Sequence, residues 1–444
     1  MTTTHPHDSL RGIDRRIAAI AIPAIVANIA IPLLGLIDTA IAGHLGAARF
    51  IGAVAVGSMM MNVIYWVFEF LRMTTSGLTA QAHGAGDTAL QAAALHRSLL
   101  MGALMGVGIV VLQVPLRQVS LWLIGPGEEV RALARHYFHI VVWGAPAVLA
   151  TTCIKGWLLG MQDARAAMHI AIGVNVLNVA MSLVAVYGLG LGFTGIATGT
   201  LVAVWTGLAL ALWLLLARHR AVATARARRA LLPWSRFFSV SGDIFVRSLA
   251  MMAVTLFFTS AGARSGDVIL AVNAMMMQLF LFYSYFMDGI AFAGEAVVGH
   301  YHGMRRPQHV RRCVQRLFRW AAIITVPFVV AYAAAPRLIY GLLTSVQPVV
   351  ECAMRYRWWC AAVPVVGMAA FVWDGVFVGL TLARGILVAV VAAAALFFML
   401  FFALPAGWGN DKLWLAFLVF LATRGVIQGI YYRRWRRSPA EHIP

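Results

Sequence analysis

Long runs of apolar residues, separated by short polar segments, fill almost the whole chain. A helix needs about 20 predominantly apolar residues to cross the hydrocarbon core of a bilayer. The runs predict twelve such helices, at residues 17–43, 50–80, 96–116, 130–160, 166–189, 193–217, 236–262, 268–300, 314–335, 350–380, 386–404 and 411–432. The runs are continuous, whereas the strands of an outer-membrane barrel alternate polar and apolar residues.

The composition agrees with an all-α polytopic membrane protein. Hydrophobic residues make up 61% of the 444 residues and charged residues 11%, whereas soluble proteins average about 45–50% and about 25%. So few charged side chains could not cover the surface of a soluble fold, and so apolar a chain does not stay disordered. The four cysteines have no spacing typical of a metal site or a disulfide scaffold.

The net charge of +19 lies mainly in the segments between the apolar runs. If the amino terminus is cytoplasmic, 22 of the 33 arginines fall in the inner segments, as the positive-inside rule requires. The arginines therefore predict a multi-pass membrane protein with both termini in the cytoplasm. Its expected location is a bacterial inner membrane. The arginines are expected to face membrane lipids, and no nucleic-acid partner is predicted.

Two sequence fragments occur twice, in the same order. AVGSMMMN at 55–62 resembles AVNAMMMQ at 271–278, and Gly156-x3-Gly160 returns as Gly375-x3-Gly379, at offsets of 216 and 219 residues. Such parallel repeats are an architecture of secondary transporters. They predict a tail at 1–16, an amino-terminal six-helix lobe at 17–217, a basic linker at 218–235, a carboxy-terminal six-helix lobe at 236–432 and a basic tail at 433–444.

The sequence has no motif for ATP use or for catalysis. GxxxxGK[ST], HExxH and GxSxG do not occur, and the histidines show no ligand spacing. We predict that the chain is not an enzyme and has no cofactor. An ion gradient remains as the energy source, with H⁺, or alternatively Na⁺, as the coupling ion.

Asp38 is the outstanding charged residue within a predicted span. It lies in IPLLGLIDTAIAG, far in sequence from any basic residue, and a charge inside a spanning helix costs about 2.5–3.5 kcal/mol. One interpretation is a proton or cation site; the other is an interfacial carboxyl bonded to Thr39 or to a neighbouring helix. Pro23 and Pro32 interrupt the same helix and favour a kink, which makes it a candidate moving part.

Polar side chains also follow one another through the fifth and sixth predicted helices. Asn175 and Asn178 lie three residues apart, and Ser182 lies one turn beyond Asn178. Thr200 lies near the outer end of the sixth helix. These groups could line a cavity or coordinate an ion, or they could form interhelical hydrogen bonds without a further function.

Four more carboxylates in predicted spans are secondary candidates for an ion or substrate site. Glu69 has Arg72 three residues later on the same helix face, so self-neutralisation is the alternative. Asp288 and Glu295 lie two turns apart on one helix, and Asp374 lies on the tenth. Asp288 and Asp374 have no basic partner in the nearby sequence.

Four motifs, in this order, resemble the multidrug and toxic compound extrusion (MATE) transporters, in particular their DinF branch. They are PLLGLIDTAIAGHLG at 32–46, FLRMTTSGLTAQAHG at 70–84, MDGIAFAGEAVVG at 287–299 and WDGVFVGLTLAR at 373–384. The resemblance implies two six-helix lobes and export of small amphipathic organic compounds in exchange for protons or sodium. It also implies an amino-lobe ion site at Asp38, Asn178 and Thr200, with a helix bend at Pro23. Many relatives carry an aspartate where this chain has Ser182, so a proton site with one carboxyl fits better than a sodium site.

Two other functions remain open at this point. A flippase for lipid-linked precursors is similar in architecture, and it would need a cavity rich in cationic residues. A non-transporting membrane scaffold would leave the lone carboxylates unexplained. The exporter is expected to act as a monomer.

Overall fold

The computed structural model describes residues 10–45, 47–225 and 234–437. These residues form seventeen α-helices and no β-strand. The first nine are α1 (Leu10–Gly43), α2 (Ala48–Val67), α3 (Phe70–Gly84), α4 (Thr88–Val111), α5 (Gln113–Ile124), α6 (Glu128–Val141), α7 (Ala145–Gly160), α8 (Ala164–Leu183) and α9 (Gly192–Ala223). The other eight are α10 (Trp234–Ala263), α11 (Asp267–Gly303), α12 (Pro307–Ala334), α13 (Pro336–Leu343), α14 (Gln347–Arg355), α15 (Arg357–Gly379), α16 (Ala383–Ala403) and α17 (Asp411–Arg437).

The all-helical multi-pass architecture predicted from the apolar runs is confirmed. Within the described ranges, eleven helical stretches are long and apolar enough to cross a membrane, beginning with Ala48–Gly84 and ending with Asp411–Arg437. They do not include α1, which is 34 residues long and carries Pro23 and Pro32. Each of the twelve predicted spans, including the first at 17–43, overlaps one helix or two consecutive helices.

The predicted span 96–116 runs past the end of its helix. α4 ends at Val111, and α5 begins at Gln113 as a separate helix. Pro115 lies in the first turn of α5, where the missing N–H of proline breaks no helical hydrogen bond. An unbroken apolar pattern hid this break, because Leu112 and Val114 suit either helix.

The chain forms two compact units. One consists of Ile22–Phe237, and we call it the amino unit; the other, the carboxy unit, consists of the residues up to Ala21 together with those from Phe238 onward. The division therefore falls inside α1, just before Pro23.

Each unit contains the same close helix contact. In the amino unit, a Cβ on Gly156 of α7 would lie 2.5 Å from the carbonyl oxygen of Arg72 on α3. In the carboxy unit, a Cβ on Gly375 of α15 would lie 2.2 Å from the carbonyl oxygen of Ala291 on α11. Both partners of the second contact stand 219 residues after those of the first. Only glycine permits so close an approach of the two backbones, so the repeat seen in the sequence is a repeat of helix packing.

The segments outside the predicted spans are partly helical. α1 begins at Leu10, within the predicted tail 1–16, and Arg316 and Trp320 donate hydrogen bonds to Asp14 near its start. α9 continues into the predicted linker as far as Ala223, with a distorted backbone at His219. α17 continues to Arg437. Residues 226–233 and 438–444 lie outside the described residues.

The side chain of Asp163, between α7 and α8, both caps a helix and forms an ion pair. Its side chain caps α8 by accepting the Ala166 N–H at 3.1 Å, and it also bonds Arg218 at 3.1 Å and His219 at 3.2 Å. Burial alone would raise the pKa of Asp163, but the hydrogen bonds from His219 and Ala166 and the charge of Arg218 together lower it to about 2. Because the folded pKa is depressed, the stabilisation is complete above the usual value of 3.8 and is lost as the pH falls through about 2.

We expect Asp163→Asn to lower stability at pH 7 by about 1 kcal/mol, because asparagine keeps the cap but removes the ion pair. The matched control is Asp87→Asn on α4. Asp87 caps α4 in the same way, by accepting the Leu90 N–H at 2.9 Å, and it has no ion pair within the described part of the chain. Thermal unfolding in detergent would compare both variants with the wild type. An equal loss of stability in the two variants would show that the change at the helix caps, and not the ion pair of Asp163, causes it.

Candidate functional site

Asp38 lies five residues before the end of α1, in the amino unit. Its side chain is buried, with 7% of the residue surface exposed, and its Oδ1 atom has no hydrogen-bond partner among the described residues. A buried polar atom without a partner is costly and rare in native structures. The carboxyl predicted from sequence as the main site residue is therefore held in an unsatisfied state.

Asn178, Thr200 and Ser182 lie together between α8 and α9. The Nδ2 of Asn178 donates a hydrogen bond to the Oγ1 of Thr200 at 3.2 Å, and the Oδ1 of Asn178 is buried without a partner in the described chain. Ser182 is fully buried, and its hydroxyl also lacks a partner there. A Cβ on Gly199 would lie 2.5 Å from the Ser182 backbone, so α9 is seated directly against this serine.

Two tyrosines and a serine that no sequence pattern indicated complete the group. The hydroxyl of Tyr137 on α6 lies 3.4 Å from the Oγ of Ser58 on α2. This tyrosine also lies near Thr200 and Asp38. Tyr65 on α2 lies near Tyr137, and its buried hydroxyl has no partner in the described residues.

We call this group the amino polar cluster. It is drawn from five helices and consists of Asp38, Ser58, Tyr65, Tyr137, Asn178, Ser182 and Thr200. No sequence spacing links the tyrosines to Asp38, because Tyr137 comes near it, and Tyr65 near Tyr137, only in the folded chain. Tyrosine is also common at membrane interfaces for other reasons, so its presence alone gives no signal.

Asn175 and Pro23 lie outside the amino polar cluster, but both concern α1, the helix that carries Asp38. The Nδ2 of Asn175 donates to the carbonyl oxygen of Ala30 at 3.2 Å, which ties α8 to α1 between its two prolines. Pro23 is buried. The Asn175 bond is an interhelical hydrogen bond, one of the two roles that the sequence left open.

Two of the secondary candidate carboxylates, Glu69 and Asp374, form ion pairs with arginines. Glu69 forms an ion pair with Arg72, as the spacing predicted. Asp374 has no basic partner in the nearby sequence, but the structure brings two arginines from other helices to it. Its Oδ2 accepts from Arg247 at 2.5 Å and from Arg424 at 2.7 Å, and its Oδ1 accepts from Gln428 at 2.8 Å. In the sequence, the expected partner of Arg247 is Asp243, four residues before it on the same helix. The contact between Arg247 and Asp374 could not be predicted from this spacing.

Asp288 and Glu295 share α11 but differ in environment. Asp288 is half-buried and lies within range of the Arg424 charge. Glu295 is buried, with 1% of its surface exposed. In this arrangement Asp288 adds a second negative charge near Asp374.

The chemistry available in the amino polar cluster is one carboxyl, one amide and several hydroxyls. These groups can hold a proton on the carboxyl and rearrange hydrogen bonds around it. Within the described ranges, no three His, Cys, Asp or Glu side chains come together in a way that could hold a metal ion.

The MatE family model matches residues 23–184 and 244–404, which is more than half of the chain. The chain belongs to the MatE family. Each matched segment covers one of the two sets of helices related by the 219-residue offset.

Relatives of known sequence and structure agree with this assignment to MatE. The chain is 36% identical over 433 residues to "DNA damage-inducible protein F" of Escherichia coli (strain K12), covering 96% of this chain and 93% of that protein. It is similar in fold to the "Crystal structure of MATE in the bent conformation", with a TM-score of 0.83, 18% identity and 99% of both chains covered. A second similar structure is the "Outward-facing conformation of a multidrug resistance MATE family transporter of the MOP superfamily", with a TM-score of 0.82, 19% identity, 99% of this chain and 100% of that chain covered.

The predictions of family, fold class and transporter identity are confirmed. MATE transporters have a fold of twelve transmembrane helices, and this chain shares that fold. Because the MatE family consists of transporters, the chain is a transporter and not an enzyme, which also excludes a non-transporting scaffold.

Proposed function

We propose that the chain is a secondary active exporter of small amphipathic organic compounds, driven by proton entry through Asp38. The observation that carries this proposal is the unsatisfied Oδ1 of Asp38 inside the amino polar cluster. A carboxyl that lacks a counter-ion inside a membrane gains most from binding a proton. The names of similar proteins, which refer to multidrug resistance, support the type of substrate.

A proton suits the amino polar cluster better than a sodium ion. The cluster offers a single carboxylate among neutral amide and hydroxyl oxygens. A proton needs only that carboxyl, whereas a sodium ion must be surrounded by several ligands at once. Ser182 stands one turn after Asn178 and is packed against Gly199. Ser182 therefore supplies a neutral hydroxyl where many relatives carry a second carboxylate.

We propose alternating access as the mechanism. Protonation of Asp38 from the outside removes a negative charge near Tyr137, which lies beside the bonded pair Asn178 and Thr200, and the outer half of α1 then moves. Pro23 is the proposed bend, supported by the division of the two compact units just before it. The deprotonated form binds the next substrate from the cytoplasm or the inner leaflet.

The expected setting is the bacterial inner membrane, with both termini in the cytoplasm. The basic segments at the predicted inner ends of the helices and the similarity to an Escherichia coli protein support this location. The transporter is proposed to work as a monomer in contact with membrane lipids.

A flippase for lipid-linked precursors is the alternative. It would need several unpaired cationic side chains within the membrane to hold a pyrophosphate. Arg72, Arg247 and Arg424, which lie in spanning helices, each bond a carboxylate instead, and Lys155 on α7 is a single cation where a pyrophosphate needs several. This pairing favours the exporter.

The test uses proteoliposomes with an imposed pH gradient and a fluorescent amphipathic cation, with and without sodium. Flux that follows the pH gradient alone would support proton coupling at Asp38. Flux that requires a sodium gradient would overturn it. Absence of flux under both gradients, with transport of a lipid-linked substrate instead, would replace the exporter by the flippase.

A further inference from the structure

The amino unit contains a cavity of about 130 Å³ between α7, α8 and α9. One face of α7 lines it with Val148, Thr151, Thr152 and Lys155, and α8 contributes Ile170 and Asn175, among others. None of these residues belongs to the amino polar cluster. The cavity is therefore separate from the proposed proton site, apart from the Asn175 bond to α1.

Lys155 gives this cavity its charge. It is one of only two lysines in a chain with 33 arginines, and it lies five residues before the end of α7. Within the described part of the chain it has neither a hydrogen bond nor an ion pair. The charges nearest to it are Glu69, which attracts it, and Arg72, which repels it.

These three side chains leave one positive charge unbalanced. Glu69 is already bonded to Arg72, so it neutralises that guanidinium first. Burial of Lys155 in a membrane-spanning helix disfavours its charged form, so the ammonium is expensive there unless an anion comes to its side. The hydroxyl of Thr151, one turn before Lys155, is also buried without a partner in the described residues.

The carboxy unit shows what a satisfied version of this position looks like. Asp374 stands 219 residues after Lys155, the same offset that relates Gly156 to Gly375. Each unit thus places a charge at the same position of the repeat, with opposite signs. Asp374 has its counter-ions built in, from Arg247 and Arg424. Among the described residues, the carboxylate that acts on Lys155 is Glu69, which Arg72 already occupies.

We propose that the Lys155 cavity is an anion-binding site, which takes the carboxylate or sulfonate group of a small aromatic compound. Lys155 supplies the counter-charge, and Thr151 and Asn175 supply polar contacts beside it. Ile170 and Val148 supply an apolar wall. The cavity is slightly smaller than an engineered cavity of about 150 Å³ that accepts benzene, but it is open on one side, so a single aromatic ring can enter with part of the molecule projecting from it.

The experiment measures equilibrium binding of benzoate to the full-length protein in nanodiscs without any ion gradient. Benzyl alcohol and benzylammonium serve as neutral and cationic probes of similar size, and empty nanodiscs correct for partition into lipid. The variants are Lys155→Met, Lys155→Arg and Thr151→Val. Lys412→Met is the matched control, because Lys412 is the other lysine and lies over the ring of Phe401 in the carboxy unit.

We expect the wild type to bind benzoate at least tenfold more tightly than either other probe. Lys155→Met should lose that preference, Lys155→Arg should keep it, Thr151→Val should weaken benzoate binding severalfold, and Lys412→Met should behave as the wild type. Unchanged benzoate binding in Lys155→Met would overturn the proposal. If that variant does not fold, equal binding of the three probes by the wild type would overturn it as well.

This inference goes beyond proton coupling and does not rest on it. Binding is measured at equilibrium, so a negative result leaves the role of Asp38 intact. Equally, a failure of proton-driven transport would leave the anion site standing.

Discussion

Asp38→Asn should abolish proton-driven transport while leaving the protein folded and able to bind substrate. Asparagine keeps the size and the polarity of the side chain but cannot take up and release a proton. One charge moving across 100 mV supplies about 2.3 kcal/mol, which corresponds to a roughly 50-fold gradient of a neutral substrate. The variant should therefore lose this gradient and only equilibrate its substrate. Uptake of a fluorescent amphipathic cation into inverted vesicles or proteoliposomes measures the difference under an imposed pH gradient, because exchange of one proton for one monovalent cation moves no net charge and is driven by the pH difference instead.

The matched control for this prediction is Asp267→Asn. Asp267 is the same residue type at the first position of α11, but it is exposed. It should transport as the wild type does, at equal amounts of folded protein. Proton-driven transport by Asp38→Asn at the wild-type rate would contradict the proposed coupling role. Equal loss in both variants would instead point to a general effect of removing carboxylates.

The sequence predicted the fold well because each spanning helix has a local cause. An apolar run of sufficient length must be buried in lipid, and its backbone must then be helical. The same logic cannot locate breaks inside an apolar run. Pro115 lies inside an apolar run and does not mark its end. The apolar pattern alone therefore joins the separate helix α5 to the end of the third span.

The sequence predicted those residues of the amino polar cluster that stand out as polar or charged within an apolar helix, and it missed the others. Asp38 is conspicuous because nothing near it in sequence is charged, and Asn178 and Thr200 are polar groups in apolar helices. Tyr137 and Tyr65 are not unusual in this way. Tyr137 comes near Asp38, and Tyr65 comes near Tyr137, only in the folded chain.

Asp374 shows the opposite limit. In sequence it looks as isolated as Asp38, since its partners Arg247 and Arg424 lie 127 and 50 residues away. In the folded carboxy unit it is held by two guanidinium groups and an amide. Two carboxyls with the same sequence signature thus have different environments, and only three-dimensional contacts separate an unsatisfied group from a neutralised one.

Removing the carboxylate of Asp374 should strongly destabilise the carboxy unit. Asp374→Asn leaves the buried guanidinium groups of Arg247 and Arg424 without their shared counter-ion, and breaking a buried ion pair costs about 3–5 kcal/mol. We expect a lower thermal unfolding temperature in detergent and a lower yield of folded protein. Glu351→Gln, at an exposed carboxylate, is the control and should have no effect.

A triple variant separates stability from transport. In Arg247→Met, Asp374→Leu, Arg424→Met, apolar side chains of similar volume replace the whole triad, and such replacements are often neutral or stabilising. We expect it to regain the stability that Asp374→Asn loses. If it also transports as the wild type does, the triad acts only through folding, and proton coupling rests on Asp38 alone. If it folds but does not transport, the triad takes part in the transport cycle. Unchanged stability of Asp374→Asn would contradict the buried ion-pair interpretation itself, because two uncompensated guanidinium groups cannot remain in the membrane without cost.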